Sequence, residues 1–153
     1  MRFYIGIDIG WKGAISIIDR EVKSVYIYDM PKKENFKDIA DIFITIPGND
    51  CRIGIEKQHP FPKQGVVSVF TLGWQYGYIN SVLDSLNLPY IEITPIEWLK
   101  YYGLHGKKHD RNSLYKLYHT AKKLFPDAEF KGKCIKDGRV DSVLIANYMR
   151  YIK

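Results

Sequence analysis

The amino-acid sequence predicts an α/β fold in which a mixed five-stranded sheet is flanked by helices. Three short β-branched runs open the chain, and the turns between them are too short for a parallel crossover, so the first three strands are expected to be antiparallel. After these strands, short strand-like runs alternate with longer segments in which apolar residues recur at helical spacing. That alternation is typical of helices layered on a sheet.

Each element has a local signal in the sequence. Runs of β-branched and aromatic residues bounded by turn residues predict strands at residues 3–9, 14–19, 23–29, 51–56 and 89–94. Apolar residues at helical spacing predict helices at residues 35–46, 65–86, 95–102, 110–124 and 138–151. The helix at 65–86 is expected to be amphipathic, and residues 126–136 are expected to form an exposed basic loop. No linker or repeat divides the chain, so residues 1–153 are predicted to form a single domain.

The composition is typical of a soluble globular protein, with 46% hydrophobic and 26% charged residues. No apolar run approaches the ~18 residues of a membrane-spanning helix, and the amino terminus lacks the features of a signal peptide. Cys51 and Cys134 offer neither a disulfide framework nor metal-ligand spacing. A cytoplasmic protein without a membrane contact is therefore expected.

The charge of the chain bears on its partner. A net charge of +6 favours a polyanion, and nucleic acid first. Ordinary surface lysines explain the same excess equally well, so charge raises the question of nucleic-acid binding without answering it.

Four acidic residues stand where predicted elements begin or end: Asp8, Glu56, Asp137 and Asp141. Asp8 and Glu56 end two predicted strands, which would place them side by side if those strands are neighbours. Asp137 and Asp141 are four residues apart at the start of the last predicted helix, and so share one face of it. Each acid also has an ordinary explanation: a turn for Asp8, an ion pair with lysine for Glu56, an N-cap for Asp137 and the helix dipole for Asp141.

Taken together, two strand ends and one helix start that supply acids fit the binding of divalent metal. Mg²⁺ prefers oxygen ligands, and a pair of ions about 3.5–4 Å apart can clamp the attacking and leaving oxygens of a phosphodiester. Without metal, clustered carboxylates would repel one another. The pattern therefore indicates metal-assisted chemistry on a phosphodiester.

Five short segments follow one another across almost the whole chain: Gly6-Ile-Asp-Ile-Gly10, Gly54-Ile-Glu-Lys57, Phe70-Thr-Leu-Gly-Trp-Gln-Tyr-Gly77, Thr94-Pro-Ile-Glu-Trp-Leu-Lys100 and Asp137-Gly-Arg-Val-Asp141. This ordered set resembles RuvC-type Holliday junction resolvases of the ribonuclease H-like superfamily, in the form common in phage genomes. The first segment alone is a weak signal, whereas the set in this order is fairly specific.

The resemblance implies a ribonuclease H-like fold and a homodimer in which each subunit nicks one strand of a four-way DNA junction. It implies Mg²⁺ as the cofactor, with Mn²⁺ able to substitute, two ions per active site and no small-molecule cofactor. By position, Asp8, Glu56, Asp137 and Asp141 become the catalytic, metal-binding residues. Metal-activated water then attacks the phosphorus and leaves 5′-phosphate and 3′-hydroxyl ends.

The helix at 65–86 matches the dimer-interface helix of the family, which implies that Gly73 and Gly77 lie near a subunit contact. From the residues alone, glycines on one helix face allow any backbone to approach closely. Packing within the chain is the alternative.

Contacts with DNA are expected from one aromatic residue and several cations. The bacterial enzyme has an aromatic wedge shortly after its second carboxylate, and Phe61, on a loop stiffened by prolines, is predicted to stack on an unpaired base here, with core packing as the alternative. The cations expected to contact DNA are Lys12, Lys57, Lys63, Lys107, Lys108 and Arg111. A solvated lysine surface is the alternative for these. The last two acids are four residues apart here, where bacterial RuvC commonly has a spacing of three, and both spacings keep one helical face.

The predicted function is thus a metal-dependent, structure-selective endonuclease that resolves Holliday junctions and other branched DNA by paired nicks. One alternative is a ribonuclease H-like nuclease that acts on flaps or RNA–DNA hybrids. A second is a junction-binding protein without catalysis. A third, an actin- or sugar-kinase-like ATPase, also begins with an Asp-x-Gly strand, but that fold needs two such domains around the nucleotide.

Overall fold

The structure is a computed structural model that describes residues 1–60, 62–104 and 111–152. These residues contain the strands β1 (Phe3–Asp8), β2 (Ala14–Asp19), β3 (Ser24–Asp29), β4 (Cys51–Glu56) and β5 (Tyr90–Ile93). The strands form a sheet with the order β3-β2-β1-β4-β5. β1 pairs with β2, and β2 with β3, in antiparallel fashion, whereas β1–β4 and β4–β5 are parallel pairs. The predicted mixed sheet, with its first three strands antiparallel, is confirmed.

The helices follow the predicted segments closely. They are α1 (Ile39–Phe43), α2 (Val66–Ser85), α3 (Pro95–Tyr101), α4 (Arg111–Leu124) and α5 (Gly138–Tyr148). A 3₁₀ helix, Lys33–Asp38, precedes α1 and takes up the first part of the helix predicted at 35–46. Of the helices in the described ranges, none is both long and apolar enough to cross a membrane.

The last helix ends earlier than the sequence predicts. Tyr148 is its final residue, and Met149 caps it. The guanidinium of Arg52, on β4, donates hydrogen bonds to the backbone oxygens of Met149 and Ile152. These bonds come from a residue 97 positions before Met149, so the local pattern could not predict where the helix stops.

Strand alternation sends the side chains of the sheet into two separate cores. One core joins the isoleucines of β1 and β4 to α1 and α2. The other joins Tyr4 and Ile18 to α3, α4 and α5, and Trp98 is its largest fully buried side chain. Successive residues of a strand point to opposite faces, so Asp8 and Glu56, each next to an isoleucine of the first core, face the side of α5.

Helix α5 lies directly on β1 and β4 because glycines leave no side chain between them. A Cβ atom at Gly6 would overlap the backbone of α5 at Ser142 and Ala146. A Cβ atom at Gly54 would overlap the side chain of Met149. This close contact fixes the height of α5 above the sheet, and with it the position of the first turn of α5 relative to the end of β1.

Helix α2 differs from its prediction in the distribution of apolar side chains. Ile79 and Leu83 are fully buried, whereas Val66 and Phe70 are 85% and 76% exposed. The helix is therefore apolar on both faces, and the expectation of an amphipathic helix is wrong. So many of its residues are apolar or aromatic that their spacing does not single out one face.

Gly73 and Gly77 lie on the exposed side of α2. A Cβ atom at either position would meet no described atom within 4 Å. The alternative that these glycines allow close packing within the chain is therefore wrong for the part of the chain that the structure describes. Val66, Phe70, Gly73 and Gly77 recur at helical spacing on this side, and we call them the α2 stripe.

Replacing Gly6 by alanine is expected to destabilise the protein by about 3 kcal/mol, because the new methyl group meets backbone atoms of α5. Gly54→Ala is the matched comparison. Its methyl group meets the flexible end of the Met149 side chain, so we expect a loss nearer ~1 kcal/mol. Urea denaturation of both variants measures the free energies of unfolding, and a larger loss for Gly54→Ala would contradict the described fit of α5 on β1.

Candidate functional site

Asp8 and Glu56 end two adjacent parallel strands. Ile7 of β1 is paired with Ile55 of β4, so the residues that follow them stand next to each other at one edge of the sheet. The expectation that these two strands are neighbours is confirmed. Both acids lie on the face covered by α5, and each is only 5% exposed. Such burial requires polar or charged partners, because a buried charge without compensation is costly.

The first turn of α5 is fastened to the turn between β1 and β2. The backbone N–H of Gly138 donates to the carbonyl oxygen of Lys12 at 3.1 Å. A Cβ atom at Gly138 would overlap the backbone of Lys12 and Gly13, so the two segments touch main chain to main chain. Asp141 stands in this first turn and is 4% exposed. A third buried carboxylate thus comes from the helix that covers Asp8.

Asp137 has a structural role that the sequence allowed for. It is the N-cap of α5, and its Oδ1 accepts a hydrogen bond from the backbone N–H of Arg139 at 3.1 Å. Its Oδ2 accepts from the backbone N–H of Lys131 at 2.6 Å, which ties the 126–136 loop to the helix start. The N-cap explanation is therefore confirmed, and both carboxylate oxygens of Asp137 hold main chain in place.

Glu56 is oriented by a residue for which no role follows from the sequence. The indole N–H of Trp98 donates to Glu56 Oε1 at 3.0 Å in a buried contact, and Gln58 Nε2 lies 3.4 Å from Oε2. Trp98 is placed by the start of α3, where Thr94 and Glu97 form a capping box. The tryptophan belongs to the fourth motif segment, but only the fold brings it to an acid 42 residues away.

A second clamp holds the start of α5 from the side of β3. The Arg139 guanidinium donates to both carboxylate oxygens of Asp29, from Nε at 2.7 Å and from Nη2 at 2.8 Å. These hydrogen bonds hold the pKa of Asp29 below its usual range. Lys131 Nζ lies 3.6 Å from the same carboxylate. Asp29 therefore acts as an ionised anchor that secures both the helix start and the loop before it.

The site carboxylates do not form a ready-made metal cage. Within residues 1–60, 62–104 and 111–152, no three His, Cys, Asp or Glu side chains are placed to hold a metal ion. Their chemistry nevertheless fits Mg²⁺ or Mn²⁺, which take oxygen ligands. Mg²⁺ is usually held by one or two carboxylates together with waters and substrate phosphates. The adjacent acids Asp8 and Glu56 suit such a partial ligand set.

A cleft of about 230 Å³ opens beside Asp8. It is lined by Asp8, Ile9, Gly10, Trp11, Lys12, Gly13 and Lys136. Lys12, which is expected to contact DNA, is exposed here. Trp11 and Lys136 line the same cleft, although neither is among the predicted site residues. Each stands directly beside a motif segment, and that adjacency is the one signal that could have found them.

Three other residues expected to bind DNA are described by the structure, and none of these three lines this cleft. Lys57 forms an ion pair with Glu92, with 3.5 Å between Nζ and Oε2. Lys63 is exposed in the loop before α2, with a φ of 67°. Arg111 is the exposed first residue of α4. The remaining expected contacts lie outside the described residues: Phe61, Lys107 and Lys108.

Comparison with known proteins rests on solved structures, because no family model and no curated protein matches the sequence. RuvC of Thermus thermophilus is similar with a TM-score of 0.59 at 16% identity, over 93% of this chain and 89% of that chain. T. thermophilus RuvC in complex with a Holliday junction substrate gives 0.59 at 17% identity, over 95% and 90%. The yeast mitochondrial Holliday junction resolvase Ydc2 gives 0.48 at 16%, over 95% and 77%. The two RuvC structures show that the chain has the fold of RuvC.

Proposed function

We propose that this protein is a metal-dependent, structure-selective endonuclease that resolves four-way DNA junctions and other branched DNA. One observation carries the proposal: buried acids from two adjacent strand ends and from the covering helix converge on one edge of a sheet with the RuvC fold. Lys12 and Lys136 beside Asp8, with a net charge of +6, suit a polyanionic substrate. The Thermus RuvC with this fold was solved with a Holliday junction substrate, which supports the choice of branched DNA.

In this proposal Asp8, Glu56 and Asp141 would hold Mg²⁺ together with substrate phosphate, with Mn²⁺ able to substitute and two ions per site. Bound metal would supply an activated water and charge compensation at the scissile phosphate, for a cleavage that leaves 5′-phosphate and 3′-hydroxyl ends. Trp98 keeps the Glu56 carboxylate turned toward the site. Asp137 is a positioning residue, because its two oxygens are used by the backbone of the helix start and of the preceding loop.

The incomplete set of metal ligands bears on whether metal binds before or together with DNA. Since no three-ligand cage exists among the described side chains, phosphate oxygens of DNA would complete the set. The same observation favours a second candidate function, a junction-binding protein that does not cut. A nuclease for flaps or RNA–DNA hybrids would use the same acids on another substrate. Assays on junctions, flaps, splayed duplexes and hybrids, with and without Mn²⁺, separate the three.

Asp8→Asn, Glu56→Gln and Asp141→Asn are each expected to slow junction cleavage by about 10²–10³-fold, because each removes a charge that holds metal while keeping the side-chain shape. Asp137→Asn is the comparison variant: asparagine can keep the N-cap bond from Arg139 but loses the bond from Lys131, so we expect a loss of no more than about tenfold. Single-turnover nicking of an end-labelled four-way junction measures the rates, and a gel shift checks that binding is kept. Equal losses for Asp137→Asn and Asp141→Asn would contradict the positioning role, and cleavage in EDTA would refute the metal requirement.

Trp98→Phe is expected to slow cleavage by about 10–100-fold, because it keeps a buried ring and removes the N–H that orients Glu56. Tyr102→Phe is the matched control, since its hydroxyl donates to the Leu144 carbonyl in the same core and not to Glu56. A double-mutant cycle of Trp98→Phe with Glu56→Ala, in which alanine removes the acceptor, followed by urea denaturation, measures the coupling between the two side chains. Additive losses in that cycle, or equal slowing by Tyr102→Phe, would contradict the role of Trp98.

The proposal includes a homodimer formed through the α2 stripe. Val66 and Phe70 expose large apolar side chains there, and such surfaces in folded proteins often serve as contacts. Gly73 and Gly77 leave open space beside the helix, so the backbone of a second copy can approach closely. Both features lie on the same side of α2, which is the side proposed to contact the second copy.

Phe70→Glu and Gly77→Arg are expected to raise the dimer dissociation constant by at least about 100-fold, because charge or bulk is introduced within the α2 stripe. Ile96→Glu is the matched control, since Ile96 is 77% exposed on α3 and Phe70 is 76% exposed on α2. Sedimentation at several protein concentrations measures the association. An unchanged dimer in both stripe variants would place the subunit contact elsewhere.

A further inference from the structure

Trp11 is presented beside the acidic site by a rigid turn. It follows Gly10, whose φ of +137° is one that glycine adopts readily, and the Gly13 N–H donates to the Gly10 carbonyl oxygen at 2.9 Å. The Lys12 carbonyl is in turn bound by the first N–H of α5. The indole therefore stands three residues after Asp8 on main chain that is held at both sides, and it lines the same cleft.

In the part of the chain that the structure describes, the Trp11 ring is partly packed against other aromatic rings and partly exposed. Its centroid lies 6.2 Å from that of Phe36, nearly perpendicular, and 6.4 Å from that of Trp74. Phe36 and Trp74 are themselves in contact, with centroids 4.8 Å apart, so they form a firm base for the indole. Trp11 remains 47% exposed among the described residues. An aromatic ring that is supported on other rings and still nearly half exposed is suited to stacking on a flat partner.

The positive charges around the Trp11 ring indicate that its flat partner is part of an anionic molecule. Lys12 and Lys136 line the cleft that Trp11 shares with Asp8. Lys33 Nζ lies 5.9 Å from the ring centre of Trp74, on the supporting side. An aromatic ring flanked by cations is the arrangement that binds single-stranded nucleic acid, with the base stacked on the ring and the phosphates near the cations.

We propose that Trp11 is a stacking platform for an unpaired nucleobase of the DNA strand that enters the Asp8 cleft. This inference rests on the proposed function and deepens it, since it names a base contact where the carboxylates and lysines address only phosphate. It also gives a reason for substrate selectivity. A base paired and stacked within a duplex has no free face, whereas a base at a branch point can be unstacked.

The test measures whether the contribution of the Trp11 indole to junction binding depends on a single base. Parent protein and Trp11→Leu, both carrying Asp8→Asn to block cutting, are titrated with four-way junctions that contain one abasic site at successive positions around the crossover. In the parent, one position should weaken binding by about tenfold when its base is removed, since a stacked base contributes that order of affinity. With Trp11→Leu the intact junction should bind about tenfold more weakly, and the abasic site at that position should cost nothing further.

Tyr26→Leu is the matched control, because Tyr26 is also 47% exposed but lies on β3 at the far edge of the sheet. It should keep the abasic penalty of the parent. Trp11→Phe retains a smaller ring and should keep part of that abasic penalty. This variant allows the test to be made even if Trp11→Leu is too unstable for binding measurements.

Several outcomes would overturn the proposal. The same abasic penalties in the parent, Trp11→Leu and Trp11→Phe would show that no base stacks on the ring. A change of sedimentation in Trp11→Leu with unchanged abasic penalties would show instead that a second copy of the chain covers this ring. The proposed function is judged separately by cleavage with Asp8 intact. If the junction is cut but the abasic penalty does not depend on Trp11, only the stacking platform is refuted. If the abasic penalty depends on Trp11 but the junction is not cut, only the proposed nuclease activity is refuted.

Discussion

The contact between α5 and β1 is the constraint on which the rest of the site depends. Gly6 in the strand and Gly138 at the helix start carry no side chains, so α5 meets main chain at both places. Between helix and sheet, the hydroxyls of Ser16 and Ser142 share a buried hydrogen bond of 2.7 Å, which satisfies both groups without water. The approach of Asp8 to the start of α5 is therefore set by backbone packing, and a site held this way is precise.

The same contact buries acidic side chains, and burial of their charge is energetically costly. Asp8, Glu56, Asp137 and Asp141 are all between 3% and 5% exposed, and they border an apolar core. The Trp98 indole donates to Glu56, and backbone N–H groups donate to both carboxylate oxygens of Asp137, so these donors orient the two carboxylates. In the proposed function, a divalent cation would compensate the negative charge of this buried acidic set.

The sequence carried the information for features that depend on local pattern. Strand β4, Cys51–Glu56, has the predicted bounds. The short turns between the first three strands predict the antiparallel pairing that the structure shows. The placement of Asp8 and Glu56 followed from their positions at strand ends. These features were accessible because period, turn length and residue type act within a few residues of each other.

Features that depend on contacts across the chain were not accessible in this way. Trp98 meets Glu56 across 42 residues, and Arg52 meets the end of α5 across 97. The surface of α2 was misjudged because its apolar residues point both inward and outward, and only the packed structure shows which are covered. For Asp137, the sequence offered two interpretations, a metal ligand and an N-cap. The bond from Lys131, six residues before it, showed that the second oxygen is used as well.

The turn between β1 and β2 links the two sides of the sheet. On one side the Lys12 carbonyl holds the first N–H of α5, and with it the helix that carries Asp141. On the other side Trp11 packs on Trp74 of α2, the helix that bears the exposed apolar stripe. A subunit bound on α2 would therefore stand one aromatic contact away from the turn that follows Asp8. Dimer formation and the shape of the acidic cleft then share a physical element, so a second copy of the chain would restrict the motion of the cleft wall even without adding a residue to it.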